Sequence, residues 1–203
     1  MGFAVEGRYV LVPVDPADAQ KYVDLQLDCL AETYNELVDA GFGERQQAER
    51  DSWLKEFDQN ITAPKVRAFL AYENPAWQPG APLSCAIGGA VDWEQPVGFA
   101  LSRPGPLEWE RRIGLPLMPE GTRELTHLYT RAGTHGIGLG AALFDAVLYE
   151  EEPAYLWYIK GNERAVQFYE HRGFTRDGRF VDCQGAWGDA VTGRMFRGVK
   201  PPA

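Results

Sequence analysis

The sequence predicts a single mixed α/β domain, and three observations support this. Strand-like segments alternate with segments of helical periodicity along all 203 residues. A run with glycine at every second position, THGIGLGAAL (134–143), passes directly into an apolar helical pattern. No internal repeat and no linker interrupts the chain, so we expect one domain over 1–203.

The first third of the chain predicts two strands separated by two helices. RYVLVPV (8–14) has the pattern of a strand, and VRAFLAYE (66–73) has the pattern of the next one. A long helix is expected from an N-cap at Asp15 to a stop at Gly41, and a more polar helix over 43–60. The apolar residues that recur at helical spacing in the first helix are Leu25, Cys29, Leu30, Tyr34 and Leu37.

The middle of the chain predicts strands around a long loop. SCAIGGAVDW (84–93) and VGFALSR (97–103) read as strands or as two halves of one hairpin, after the turn NPAWQPGAP. The stretch 104–122 holds four prolines and three glycines, which indicates a loop, and loops of this length are often functional.

ELTHLYT (124–130) predicts a central strand covered on both sides. Its two leucines, Leu125 and Leu128, then point to opposite faces, and His127 shares a face with Leu125 and Tyr129.

The last third continues the alternation. The glycine run opens a helix that extends to about Tyr149, and AYLWYIK (154–160) is a strand. NERAVQFYEHRG (162–173) predicts a helix with Asn162 as its N-cap and Gly173 as its C-cap. Two closing strands are predicted in FTRDGRFVDC (174–183) and GRMFRGV (193–199).

Composition excludes several classes of partner. Twenty basic against twenty-nine acidic residues give a net charge of −9, which matches nucleic-acid phosphates poorly. The longest apolar run is far shorter than the roughly 20 residues that span a bilayer, and the N-terminus lacks the apolar core of a signal peptide. Three isolated cysteines argue against zinc and disulfides. We expect a soluble cytoplasmic protein without metal, nucleic acid or membrane partners.

The glycine run predicts an anion site. Successive glycines at the start of a helix point unpaired backbone N–H groups at a ligand, and phosphate is the natural one. A tight turn without a ligand is the structural alternative. A Walker loop fails because Leu139 and Gly140 follow Gly138 where Lys and Ser or Thr are needed. A dinucleotide fingerprint, Gly136-x-Gly138-x-x-Ala141, fits only in form, because five residues separate it from the preceding strand and no acidic residue ends the next one.

Two motifs in the right order resemble the GNAT superfamily of acetyl-CoA-dependent N-acetyltransferases. The first is a strand of the type ELxxLYV followed by a glycine loop, here with His135 where the family usually has Gln or Arg. The second is NERAVQFYEHRGF, which carries Asn162, Ala165, the pair Phe168-Tyr169 and Gly173-Phe174 at the family's spacing. The resemblance covers about 123–180 well, and 1–122 only in the order of elements.

The resemblance implies a bent mixed sheet of six to seven strands with helices on both faces. It divides the chain into an acceptor-side half, 1–122, and an acetyl-CoA-binding core, 123–180. The strand over 124–130 and the strand over 154–160 would diverge, with the pantetheine arm of the cofactor in the gap. The residues that the resemblance assigns to acetyl-CoA are Leu128, Tyr129, Thr130, His135, Gly136, Ile137, Gly138, Leu139, Gly140, Ala141, Asn162 and Phe168.

The implied reaction is the direct attack of an amine on a thioester, which requires a base and an acid. Glu124 is the candidate base, and its alternatives are a solvated strand end or an ion pair with Arg123 or another neighbour. Tyr169 is the candidate acid for the leaving thiolate, and its alternative is packing against the sheet. His127 is read as a core histidine or a second base.

The acceptor is predicted to be a small-molecule or peptide amine, with a cationic one favoured by the acidic composition. Trp109 and the helix at 44–60 lie where the family places its acceptor site, and many family members are homodimers. Two other functions stay open: a non-catalytic acyl-CoA-binding module or sensor, and a nicotinamide-dependent enzyme.

Overall fold

The computed structural model describes residues 3–5, 7–78 and 91–201. Eight strands lie in these ranges: β1 (Phe3–Val5), β2 (Tyr9–Pro13), β3 (Arg67–Glu73), β4 (Gly98–Pro104), β5 (Arg123–Thr130), β6 (Ala154–Ile159), β7 (Thr175–Asp182) and β8 (Val191–Arg197). Five α-helices accompany them in the described part of the chain: α1 (Ala19–Tyr34), α2 (Phe42–Ala48), α3 (Arg50–Ile61), α4 (Leu139–Val147) and α5 (Glu163–Glu170).

The strands form one mixed sheet in the order β1-β2-β3-β4-β5-β6-β8-β7. Neighbours are antiparallel except β5 and β6, which run parallel. The predicted single mixed α/β domain is therefore confirmed, with a sheet of seven strands of five or more residues and the three-residue β1 added at its edge. The division of the chain at residue 122 stays a prediction.

Helices cover both faces of the sheet, and each face has its own apolar core. On the face covered by α1 and α3, here called the α1 face, the core includes Tyr22, Leu25, Phe57, Leu70 and Phe99. On the opposite face, here called the α4 face, it includes Leu125, Leu143, Phe144, Leu156 and Val166. No helix in the described ranges is long and apolar enough to cross a membrane.

The first helical region differs from the prediction in two ways. Asp15 does accept a hydrogen bond from the Ala17 N–H, but it caps a 3₁₀ turn that leads into α1. Helix α1 then ends at Tyr34 rather than Gly41, and the predicted helix over 43–60 is two helices that meet at Glu49. A Cβ at Gly43 would lie 2.7 Å from the Cβ of Ala31, so α2 crosses α1 too closely for any larger residue.

Most other elements lie close to their predicted positions, but α5 ends at Glu170 with His171 as its C-cap, not with the predicted Gly173. The stretch 104–122 is a loop with one short 3₁₀ helix, Glu108–Arg112. The strand predicted over 84–93 lies outside the described residues up to position 90, and 91–93 are not in a strand.

A β-bulge in β5 changes which side chains share a face. His127 pairs with Leu101 and Leu125 pairs with Ser102, so Thr126 has no partner on β4. Beyond the bulge the alternation is inverted, which places Glu124 and His127 together on the α1 face. Two predicted face assignments were therefore wrong, because Leu125 and Leu128 both pack in the α4-face core and His127 does not share a face with Leu125. The predicted shared face of His127 and Tyr129 is confirmed, with ring centroids 6.4 Å apart.

The sheet opens between its two parallel strands. β5 and β6 form only three residue pairs, Arg123–Ala154, Glu124–Tyr155 and Leu125–Leu156. From His127 to Thr130, β5 pairs with β4 alone, and Thr126 at the bulge pairs with neither neighbour. The predicted divergence of these two strands is observed, and it leaves the backbone of one edge of β5 without strand partners.

Candidate active site

The gap between β5 and β6 holds a cleft of about 390 Å³. Residues from β5, the glycine loop, β6, α5 and the end of α1 line this cleft. They include Tyr169, Leu128, Tyr129, Thr130, His135, Gly136, Gly138, Gly140, Ala141, Asn162 and Phe168. The remaining predicted residues, Glu124, Ile137 and Leu139, are not in its lining. Ile137 points to solvent and Leu139 into the core, so these two can contribute only backbone groups.

The glycine loop presents bare backbone to the cleft. Gly136 and Gly138 have φ values of +76° and +88°, a region that favours glycine, and a Cβ at either position would meet no atom within 4 Å. The first hydrogen bond of α4 runs from the Ala142 N–H to the Gly138 carbonyl. The preceding N–H groups of α4 make no hydrogen bond to other described residues, so the helix start can receive an anion.

A side-chain cation lies beside this loop. The Arg164 guanidinium, from the first turn of α5, hydrogen-bonds the His135 ring and also lines the cleft. Burial and the charge of Arg164 both hold the pKa of His135 below its ordinary value. His135 is therefore neutral near pH 7, and Arg164 supplies the positive charge at the loop. Arg164 was not among the residues predicted for the site, although it lies only two residues after the predicted helix cap Asn162.

Asn162 has a structural task at the cleft. Its side-chain oxygen accepts a hydrogen bond of 3.2 Å from the Ala165 N–H, as the predicted N-cap of α5. Its side chain also faces Tyr34, where burial raises the pKa of the hydroxyl and hydrogen bonding to Asn162 partly opposes that rise. Capping therefore fixes the orientation in which Asn162 faces the cleft.

Tyrosines converge on the cleft from four elements, α1, β5, β6 and α5. Tyr169 on α5 packs its ring against Phe168 and Phe174, with centroids 5.3 and 5.9 Å away. Burial and the neighbouring Tyr34 raise the pKa of Tyr169, so its hydroxyl keeps its proton. Tyr34 is also buried. Burial raises its pKa, and hydrogen bonds with Tyr129 and Asn162 offset only part of this rise. The sequence predicted Tyr34 only as part of a helical stripe.

Glu124 is buried on the α1 face, next to the cleft residue Thr126. Glu124 is 3% exposed, and among the described residues its side chain accepts a hydrogen bond of 3.3 Å from the Thr126 hydroxyl. Burial, reinforced by the negative charge of Glu110, raises the pKa of Glu124 to about 8. The alternatives considered from the sequence do not hold: Glu124 is not solvated, and Arg123 instead lies 3.6 Å from Glu152.

Further polar groups surround Glu124 on the same face. His127 Nδ1 lies 3.0 Å from the Tyr22 hydroxyl, and His127 Nε2 lies 3.8 Å from Glu56 Oε1. Burial lowers the pKa of His127 to about 4, so the ring is neutral and favours a core role over a second base. Glu56 belongs to α3, and 45% of its side chain is exposed. The predicted acceptor-side helix therefore does reach this face.

The aromatic residue predicted on the acceptor side also lies here. The Trp109 ring packs on Trp157, with centroids 5.1 Å apart, and Trp157 lines the cleft. The described residues contain no group of three or more potential metal ligands.

Comparisons with known proteins agree with the observed fold. The model of the acetyltransferase (GNAT) family matches residues 32–174. A histone acetyltransferase HPA2-related structure from Corynebacterium glutamicum is similar with a TM-score of 0.57 and 20% identity, covering 97% of this chain and 99% of that one. No curated protein sequence matches significantly.

Two further structures are similar over most of their length. The PaiA N-acetyltransferase of Thermoplasma acidophilum, in complex with coenzyme A, has a TM-score of 0.53 and 13% identity over 92% of this chain and 97% of that one. A chimera of the spermidine N-acetyltransferase SpeG of Vibrio cholerae has a TM-score of 0.51 and 14% identity over 94% and 95%. At these identities the likeness concerns the fold alone.

Proposed function

Because this chain belongs to the GNAT family of acetyltransferases, we propose that it transfers an acetyl group from acetyl-CoA to a primary amine of a small molecule or peptide. The reaction is a direct attack of the amine nitrogen on the thioester. The observation that carries the proposal is the cleft between β5 and β6, which ends at an open glycine loop and passes beside buried Glu124.

The residues present fit a coenzyme A arm. The free N–H groups at the start of α4 and the Arg164 guanidinium complement a pyrophosphate. The unpaired edge of β5, at Leu128 and Thr130, offers backbone groups to the amides of pantetheine, as a neighbouring strand would. Phe168 gives this channel an apolar wall.

Glu124 is proposed as the base that receives the proton of the amine. An alkyl ammonium has a pKa of about 10.4, so deprotonation at pH 7 costs about 4–5 kcal/mol. A carboxyl with a pKa of about 8 takes this proton far more readily than an ordinary glutamate would. The consequence is that the base is largely protonated at neutral pH, so activity should increase as pH rises toward 8.

Tyr169 is proposed as the acid that protonates the leaving thiolate. Its hydroxyl stays protonated because burial raises its pKa, and the residue lines the cleft. A phenol lies only about 1.5 pKa units above a thiol in water. Burial raises the pKa of Tyr169 and raises that of a thiol beside it in the same direction, so the proton can pass as the C–S bond breaks. The step balances: the ammonium gives one proton to Glu124, and as the C–N bond forms and the C–S bond breaks, the nitrogen releases a second proton to solvent. Tyr169 gives one proton to the sulfur and recovers it from solvent.

The test combines binding and turnover. Thermal shift with acetyl-CoA, CoA and NAD is measured on the wild type and on Tyr169→Phe, followed by thiol release with a panel of amines. We expect both coenzyme A species to stabilise both proteins, and thiol release to fall by about 10²-fold or more in the variant. Stabilisation without any turnover would instead indicate a non-catalytic acyl-CoA-binding module. If no coenzyme A species stabilises the wild type, the glycine loop is only a turn.

A further inference from the structure

The cleft between β5 and β6 has an open end and a closed end. The glycine loop forms the open end, where His135 Nε2 lies 3.2 Å from the Thr130 carbonyl oxygen. At the closed end the two strands meet in their last residue pair, Leu125–Leu156. The next residue on β6 is Trp157, which lines the cleft together with Leu125. The largest residue of the lining therefore lies where the cleft stops.

A coenzyme A arm in this cleft is long enough to bring its acyl group to Trp157. About thirteen bonds separate the phosphorus next to the pantetheine from the sulfur, which is the reach of about four residues of extended backbone at three bonds per residue. On β5, Thr126 at the closed end is four residues back from Thr130 at the glycine loop. With the pyrophosphate at the start of α4, we therefore expect the thioester beside Thr126 and Trp157, close to the proposed base Glu124.

The Trp157 indole is held on three sides. Its ring packs on the ring of Trp109, with centroids 5.1 Å apart. The Arg194 guanidinium, from the paired position on β8, lies 5.3 Å from the centroid of the Trp157 ring. The third side is the Glu110 carboxyl, whose pKa is raised by burial and partly lowered by hydrogen bonding, to which Trp157 contributes. The indole cannot turn away from the cleft without losing these contacts.

The groups behind and beside Trp157 are fixed as well. Arg194 is 1% exposed, and its guanidinium donates hydrogen bonds to Asp177 at 2.5 and 3.0 Å and to the Pro116 carbonyl at 2.8 Å. Leu125 and Leu156 are both buried in the α4-face core. Enlarging the closed end would displace packed side chains, and close-packed interiors resist such changes.

We propose that Trp157 limits the length of the acyl group, so that the cleft takes acetyl-CoA and rejects acyl-CoA thioesters with chains of four or more carbons. This inference rests on the proposed acyl transfer and specifies its donor. The indole contacts the methyl group of the acetyl, and each added methylene would need space that Trp157 fills. In a closed apolar pocket, one methylene changes specificity by about 10- to 200-fold.

The first test compares acetyl-CoA, propionyl-CoA and butyryl-CoA as donors to an amine from the same panel. The wild type should use butyryl-CoA with a kcat/KM at least about 100-fold below that for acetyl-CoA. Trp157→Ala removes the wall, and the ratio should fall close to one. Trp77→Ala is the matched control, because this half-buried indole also lies against an arginine, 5.6 Å from the Arg8 guanidinium, but does not line the cleft. The control should keep the wild-type ratio.

A binding measurement separates this inference from the proposed function. Calorimetric titration without any amine should show that the wild type binds butyryl-CoA at least about tenfold more weakly than acetyl-CoA, and that Trp157→Ala binds the two thioesters equally. Equal binding and equal kcat/KM in the wild type would overturn the role of Trp157 and leave acetyl transfer intact. If no amine releases thiol, the proposed function fails, and the titration still decides whether Trp157 limits the acyl chain.

A second variant covers the case in which Trp157→Ala does not fold. Trp157→Leu keeps an apolar side chain between Trp109 and Arg194 but removes most of the indole. Its preference for acetyl-CoA over butyryl-CoA should be at least about tenfold weaker than that of the wild type. A preference equal to that of the wild type would refute the proposal.

Discussion

Replacement of the buried carboxyl of Glu124 by an amide should stabilise the protein while it abolishes the base. The folded protein holds the pKa of Glu124 near 8, against an ordinary value of 4.5. Above pH 4.5 the unfolded chain releases this proton but the folded protein keeps it, so the folded state loses stability as pH rises. The loss is complete once pH passes the folded pKa.

The magnitude follows from the same pKa. One pKa unit corresponds to about 1.4 kcal/mol, so Glu124→Gln should raise the free energy of unfolding by about 1 kcal/mol at pH 5. The same reasoning gives about 3 kcal/mol at pH 7 and about 5 kcal/mol at pH 9. The amide retains an oxygen for the Thr126 hydroxyl, so the local hydrogen bond survives.

Urea denaturation of the wild type and Glu124→Gln at these three pH values provides the measurement, with Glu108→Gln as the exposed control. The quantity that matters is the growth of the difference between the two proteins with pH. A difference that stays constant from pH 5 to pH 9, or one that matches the control, would refute the buried, largely protonated state of Glu124. Acetyl transfer by the variant should be lost over the same pH range.

Three more substitutions test the site. Gly138→Ala should cost about 1 kcal/mol of stability through its positive φ and should weaken CoA binding about tenfold. Gly178→Ala, at a similar φ of +83° but outside the cleft, should cost stability alone. Equal CoA affinities of the two variants in calorimetry would contradict this prediction. Gly105→Ala would place a Cβ 1.9 Å from the Tyr155 hydroxyl, so urea melts should show a loss of about 1–3 kcal/mol, and wild-type stability would contradict the close packing. Arg164→Met should weaken CoA binding and reduce its salt dependence in titrations at low and high salt, and unchanged salt dependence would exclude a phosphate contact.

Much of the fold could be predicted because local rules agree with the tertiary structure. Asn162 caps α5 as its sequence position indicated, and the loop over 104–122 is irregular, as its prolines required. Strand alternation could not reveal the extra residue at Thr126, because a bulge changes the face of a side chain without changing the composition of the strand. The break at Glu49 had no glycine or proline to mark it, and it results from packing of α2 on α1.

The candidate site, like the fold, could be predicted from the sequence only in part. The glycine loop could be predicted because alternating glycines mark backbone that no side chain covers. Glu110, Arg164 and Tyr34 come from a loop, a helix start and a helix end that are distant in sequence. Their positions near the cleft depend on neighbours in three dimensions, and the periodicity of the sequence does not reveal those neighbours.

Because β5 and β6 share only three residue pairs, the sheet consists of two parts, here called panels, that are joined only at this short pairing. A ligand that lies along the open edge of β5 would act as a missing strand and tie the panels together. Amide hydrogens on that edge, such as those of Leu128 and Thr130, should therefore exchange with solvent quickly in the free protein and slowly once CoA is bound. Cofactor binding would then stiffen the whole sheet in addition to filling the cleft.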